Sequence, residues 1–263
     1  GKGGWSALAS MDANLADFAK ISLSGKMSTI GFGSIDKSPN QRSREELKQY
    51  GLISSLNLGQ LLPNKWEIQI PVSYSISEEF STPEYDPFYQ DIKLEDRINS
   101  ATRNSQKDSI KNQAISYRKV SSINLLGVKK NRSAEQKERV YDIENFDFSY
   151  SYNQELQHDY EIENFTKKTA RVSSSYNYSF NPFVISPFKK IKFLENNKYL
   201  EWIKEFNFNP LLSSFSFDAN INRTFNSQRF RDIYIEGADS SNQIALPEIQ
   251  QRNFLFDWNL SLS

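Results

Sequence analysis

Apolar and polar residues alternate with a period of two in one short stretch of the chain after another. The clearest stretch is 170–180. Ala170, Val172, Tyr176, Tyr178 and Phe180 take one phase, and Arg171, Ser173, Ser175, Asn177 and Ser179 take the other. Side chains of a strand point alternately to opposite faces, so this pattern predicts a strand with one apolar and one wet side. The same phase recurs in Trp5–Ala13 and in 19–28, where Ala19, Ile21, Leu23 and Met27 oppose Lys20, Ser22, Ser24 and Lys26. It returns in Tyr50, Leu52, Leu56 and Leu58, and again in Trp66, Ile68, Ile70, Val72, Tyr74 and Ile76. Later strands are marked by Phe146, Phe148, Tyr150 and Tyr152, by Phe215, Phe217, Ala219 and Ile221, and by Phe254, Phe256, Trp258, Leu260 and Leu262. A further strand over about 115–128 has mixed phase. Pro71 sits on the polar phase of its strand and cannot donate to a ladder, so a bulge or break is expected there.

Strands of about 9–13 residues suit a tilted crossing of the hydrocarbon layer, which needs about 9–11, better than the usual soluble strand of about 5–6. No run approaches the length of a membrane-spanning helix. The predicted fold class is therefore all-β: an antiparallel transmembrane β-barrel wall of about nine strands with long loops and one short helix. The helix is expected within 186–206, where Tyr199, Leu200, Trp202, Ile203 and Phe206 recur at helical spacing after Ser186-Pro187. Residues 79–114 read as a long charged external loop.

Composition sharpens this picture without changing it. Aromatics make up 14% of the 263 residues, and charges balance at 32 against 32, which gives a nucleic-acid partner no bulk electrostatic support. Cysteine is absent, so disulfides and thiolate chemistry are excluded. The mean hydropathy of −0.64 argues against a helical membrane protein. It does not argue against a barrel, half of whose strand residues are polar. The start at Gly1-Lys2-Gly3-Gly4 and the stop at Ser263 within an alternating run suggest a piece of a longer protein.

On this reading Leu23, Ile68, Val72, Tyr176 and Ile221 face lipid, and Lys20, Lys26, Asp147, Arg171, Asp218 and Asp257 face an aqueous lumen. Trp5, Tyr50, Trp66, Phe146, Tyr178, Phe180 and Phe215 lie at strand ends, where aromatic rings suit the membrane interface. Phe148, Phe217 and Phe254 join them. Antiparallel parity places 29–48, 79–114 and 226–252 at one end, expected external, and the turns near 15–18 and 61–65 at the periplasmic end. The connections 129–143 and 181–210 fall with the short turns and break the simple rule. Arg223 lies on the apolar phase, which requires it to sit near an interface.

Little in the chain suggests chemistry. The single histidine, His158, is expected in a polar loop with no oriented partner. Glu84, Asp86, Asp91, Glu95 and Asp96 could bind calcium, but they lack the glycine and spacing of an EF-hand loop. A charged surface turn leading into a helix fits them better. Gly31-Phe32-Gly33-Ser34 lacks the lysine and the helix of a phosphate loop. The chain is expected not to be an enzyme, with no catalytic, cofactor or metal site. Rival readings are a surface-exposed β-sandwich or adhesin-like module, and a smaller outer-membrane enzyme or uptake barrel.

Longer segments carry a resemblance. GKGGWSALASMDANLADFAKISLSGKMSTIGFGSID, PEYDPFYQDI, ERVYDIENFDFSYSY and KYLEWIKEFNFNPLLSSFSFDANINRTFNSQRFRD resemble, in order, stretches of the SprA/Sov family. Its members are giant outer-membrane translocons of the type 9 secretion system, tied to gliding motility. The resemblance implies a bacterial outer-membrane location and one arc, residues 1–263, of a single very large barrel that passes folded cargo. It implies membrane lipid, secreted cargo proteins, a FadL-like shuttle barrel and a periplasmic plug protein as partners.

Overall fold

The computed structural model describes residues 3–16, 18–33, 43–133, 136–181, 183, 185–187, 207–232 and 246–263. The expected helix within 186–206 lies almost wholly outside the described residues. The strands are β1 (Ser6–Leu15), β2 (Ala19–Ser28), β3 (Glu45–Asn57), β4 (Ile68–Gln69), β5 (Pro71–Pro83), β6 (Ser116–Lys130), β7 (Phe146–His158), β8 (Ile162–Ser179), β9 (Ser214–Phe230) and β10 (Ile249–Leu262). Nine of them form an antiparallel meander in the order β1-β2-β3-β5-β6-β7-β8-β9-β10, and the two-residue β4 pairs with β6 beside this path. Every long strand pairs with its neighbours in sequence, the simplest way for one chain to satisfy a wide sheet's backbone groups. The sheet is open, with β1 and β10 as its edges.

The predicted strands are all present, but several run longer. β8 spans 18 residues and β9 spans 17. Residues 154–169, expected as a polar connection containing His158, are the ends of β7 and β8 around a three-residue turn. Asp159 builds that turn: its Oδ1 accepts the N–H groups of Glu161 (2.8 Å) and Ile162 (2.7 Å). An aspartate bonding the backbone just ahead of it is a strong local turn former. With a tight turn at 159–161 at the same end as the long connections, loop lengths do not sort by end, so they do not set the orientation.

Pro71 opens β5, and the strand breaks from β4 at Ile70, as its missing N–H requires. The connection before it is tightly seated. Leu58 N–H donates to the Ile70 carbonyl at 2.9 Å, and a Cβ added at Gly59 would stand 2.2 Å from the Ile68 carbonyl oxygen. Gly59→Ala is therefore expected to push the turn at 58–61 off β4, at roughly 1–3 kcal/mol by the usual cost of overpacking. Hydrogen exchange checks this: the Leu58 amide should lose protection by an order of magnitude or more while mid-strand amides keep theirs.

The mixed phase of β6 has two causes. The register slips between Leu125 and Val128, where Gly127 adopts a φ of +72° and donates its N–H to Ser149 Oγ at 2.9 Å. This is a β-bulge, which turns the phase by one residue. In addition, Lys119 lies on the apolar phase opposite Glu78, and the two pair at 2.8 Å.

Two helices, α1 (Leu94–Ser100) and α2 (Asn104–Ala114), occupy the connection between β5 and β6. They replace part of the loop expected at 79–114, whose first five residues belong to β5. The packed interior of the molecule is small. The buried apolar residues among those described are Ala19, Leu94, Ala114 and Tyr176. No described helix is long and apolar enough to cross a membrane, which has no bearing on crossing by strands.

Candidate functional site: two unlike faces of one sheet

Cross-strand register assigns each side chain to a face. One row runs Leu56, Val72, Leu125, Tyr150, Val172, Ile221, Phe256 across seven strands. The next holds Ala13, Ile21, Ser54, Tyr74, Ile123, Tyr152, Ala170, Arg223 and Phe254. Leu23 lies between Met11 and Leu52 on the same face. Ile68 joins it through Lys130, two residues beyond Val128. The five residues expected to face lipid thus share one face.

The six residues expected to line a lumen share the other face. Lys20 lies opposite Asn14 and Ser55, and Arg171 opposite Ser151 and Asn222. Asp147 and Asp218 both lie opposite Ser175, Asp257 lies opposite Asn220, and Lys26 follows Lys20 in phase. Polar groups bond along this face: Ser75 Oγ with Ser122 Oγ (2.6 Å), Ser151 Oγ to Asn124 Oδ1 (2.6 Å), Asn220 Nδ2 to Asp257 Oδ2 (3.1 Å). Leu8, Ile53 and Leu255 also lie on it and break the pattern.

The apolar face is largely uncovered. Leu23 is 47% exposed, Phe256 53% and Trp258 61%. A soluble sheet hides such a face under a second layer. Tyr176 is the exception among the expected lipid-facing residues. It is buried, and its hydroxyl donates to the Val140 carbonyl at 2.5 Å, so the segment before β7 covers it. Its phase follows the pattern, but its place is at the strand end and under its own chain.

Aromatic rings line both ends of this face. At the end where β1 turns into β2, Phe146 meets Tyr176 at 4.9 Å, Tyr176 meets Phe215 at 5.6 Å and Tyr178 meets Phe180 at 4.9 Å, all edge-on. At the opposite end Tyr50, Phe80, Tyr117 and His158 form a line with centroids 6.1, 4.8 and 5.4 Å apart. Edge-on and tilted pairs suit the quadrupoles of the rings. Trp5 bonds across to Thr29 at the second end (2.9 Å). Trp66 sits in a short helical turn over Asn64–Trp66, not on a strand. Sequence reasoning placed Phe80 and His158 in loops and, although it put Tyr117 on the strand over about 115–128, did not join it to this line. Their spacing of two from Glu78, Lys119 and Leu156 held the signal.

The connections carry their own polar cores. Asp86 is 1% exposed, and its Oδ1 accepts from Phe88 N–H (2.8 Å) and Tyr89 N–H (3.2 Å) while Oδ2 pairs with Arg97. Its oxygens are thus taken by protein groups in the charged turn leading into α1. At the other end Lys130 pairs with Glu144 at 2.6 Å, and this bond chiefly holds the Glu144 carboxyl below its ordinary pKa. Arg231 donates to the carbonyls of Asp159 (2.9 Å) and Asn112 (3.0 Å), tying the last turn of α2 to the β7–β8 turn. Among the described residues no group of three or more His, Asp or Glu is placed to hold a metal ion.

Comparison with known proteins adds one finding. Residues 1–98 match the model of a family described as motility related/secretion protein, SprA_N. No curated protein matches the chain.

Proposed function

We propose that this chain, a member of the SprA/Sov family of motility and secretion proteins, is one arc of the wall of a protein-conducting channel in the bacterial outer membrane. One observation carries the reading: a single-layer sheet of long strands presents a largely uncovered apolar face and a mostly polar face, with almost no apolar interior among the described residues. Lipid is the cover such an apolar face fits, and water fits the other. The strands of 10–18 residues suffice to cross the hydrocarbon layer. The two aromatic lines at opposite strand ends match the girdles of a membrane wall.

The polar face acts passively. Serine, asparagine and charges of both signs keep water in the lumen and offer no strong site to a passing protein. Secreted cargo would move along this wall. A shuttle barrel of the FadL type and a periplasmic plug are the partners the family implies, and no enzymatic step is assigned. A β-sandwich or adhesin-like module needs a second sheet over the apolar face. Among the described residues the segment near Val140 covers Tyr176, and Ala19 is also buried, while Leu23, Phe256 and Trp258 stay exposed.

The lack of cysteine in this chain gives a clean test. Single cysteines placed at Ser24, Ser175 or Asn222 in the full-length protein should react with a membrane-impermeant maleimide. Cysteines at Leu52, Val172 or Ile221 should react with a lipid-soluble one. Equal labelling of both sets by the impermeant reagent would sink the proposal.

A further inference from the structure

The apolar face carries three cations with no acidic partner among the described residues. Lys168, Phe225 and Arg252 lie side by side on β8, β9 and β10, and Arg223 stands in the row beside them, opposite Ala170 and Phe254. All three cations are exposed. With Tyr152, Ala170 and Phe225 they line an open concavity of about 360 Å³. The Arg252 guanidinium lies 5.6 Å from the centre of the Phe225 ring, which steadies it at the rim. Other cations of this face are matched. Lys119 pairs with Glu78 at 2.8 Å, Lys48 with Glu46 at 2.9 Å and Arg229 with Glu163 at 2.9 Å.

The place of the cluster matters as much as its charge. It marks the edge of the apolar band on these strands. Below it run Val172, Ile221 and Phe256; above it come Thr166, Ser227 and Gln250. A ligand that fills this footprint carries negative charge at one end and hydrocarbon at the other. Guanidinium forks match the oxygens of a phosphate, and the low dielectric at the band's edge strengthens the pairing. We infer that Lys168, Arg223 and Arg252 form a site for the net-anionic, phosphomonoester-bearing headgroup of a membrane lipid, whose acyl chains lie along Ala170, Val172, Ile221 and Phe256.

This inference rests on the membrane-wall reading, and the experiment separates the two. The full-length protein is placed in phosphatidylcholine nanodiscs containing either lipid A or lipid A stripped of its phosphates, and bound lipid is measured by native mass spectrometry. The protein should retain the phosphorylated form at least about tenfold better, since each basic residue near an anionic surface strengthens binding severalfold. The combined variant Lys168→Gln, Arg223→Gln, Arg252→Gln should lose that preference. The charge-matched control Lys20→Gln, Lys26→Gln, Arg171→Gln should keep it. Equal retention of the two lipids by the unaltered protein overturns the site, as does an unchanged preference in the combined variant. Displacement of the lipid by millimolar inorganic phosphate also overturns it, because the site would then be one for free anions. Failure of the unaltered protein to enter nanodiscs overturns the wall reading itself.

Discussion

Arginine in place of Val172 or Ile221 is expected to abolish assembly in the membrane, whereas arginine in place of Ser173 should be tolerated. Val172 and Ile221 share an apolar row with Val72, Tyr150 and Phe256, one row inside Arg223 and two rows from Tyr176. Ser173 is next in sequence but on the other face, opposite Ser149 and Asn220. A lipid-facing arginine costs about 2–4 kcal/mol at the midplane of a barrel and about 0–1 kcal/mol near an interface. Native domains have only about 5–15 kcal/mol of stability to lose. The double variant Val172→Arg, Ile221→Arg should therefore remove most folded protein from the outer membrane. The amount of protease-resistant protein extracted by mild detergent measures it. Equal yields from the Val172 and Ser173 variants would refute the face assignment. On the membrane-wall reading Arg223 fits this depth rule, since it lies on the apolar face only at the edge of the band, beside Lys168 and Arg252.

The period-two pattern disclosed the faces wherever one side of a strand is apolar and the other wet. It is strongest at 170–179, and the register there agrees with it residue by residue. It failed at 154–169 for a physical reason. Gln154, Glu155, Gln157, Lys167 and Lys168 belong to strand ends at and beyond the edge of the apolar band, where polar residues stand on both faces. The backbone ladder continues there although the alternation stops, because the hydrogen bonds do not depend on which side chains they carry. The only local signal was Asp159, a turn former. His158 was misplaced for the same reason. In β6 the alternation was hidden by the Gly127 bulge and by Lys119, which is acceptable on the apolar face because Glu78 and the Tyr50 hydroxyl meet across the neighbouring strands. The helices α1 and α2 had no apolar stripe to announce them. They are polar, and what fixes them is the pairing of Asp86 with Arg97 outside any helical period and the grip of Arg231 from far along the chain.

That pairing leads to the second large effect. Asp86→Ala is expected to unfold the connection between β5 and β6 while leaving the sheet intact. The Asp86 side chain is fully buried and Arg97 is 24% exposed, so loss of the carboxylate strands a largely buried guanidinium and frees the N–H groups of Phe88 and Tyr89. Breaking one partner from a buried pair costs about 3–5 kcal/mol, and the partial exposure of Arg97 puts this case toward the lower value. A segment with Leu94 and Ala114 as its buried apolar residues has little packing to offset such a loss. The strand pairing from Val72–Leu125 to Ser81–Ser116 does not depend on it. Limited proteolysis should thus cut Asp86→Ala within 84–115 at a rate at least tenfold above that of the unaltered protein, with hydrogen exchange in β5 and β6 unchanged. Arg97→Lys should fall between the two, since lysine keeps the charge but loses the guanidinium stacked 4.6 Å from the Tyr89 ring. An Asp86→Ala protein as resistant as the unaltered one would mean that the strand ends alone hold the connection and that the Asp86–Arg97 pair does not.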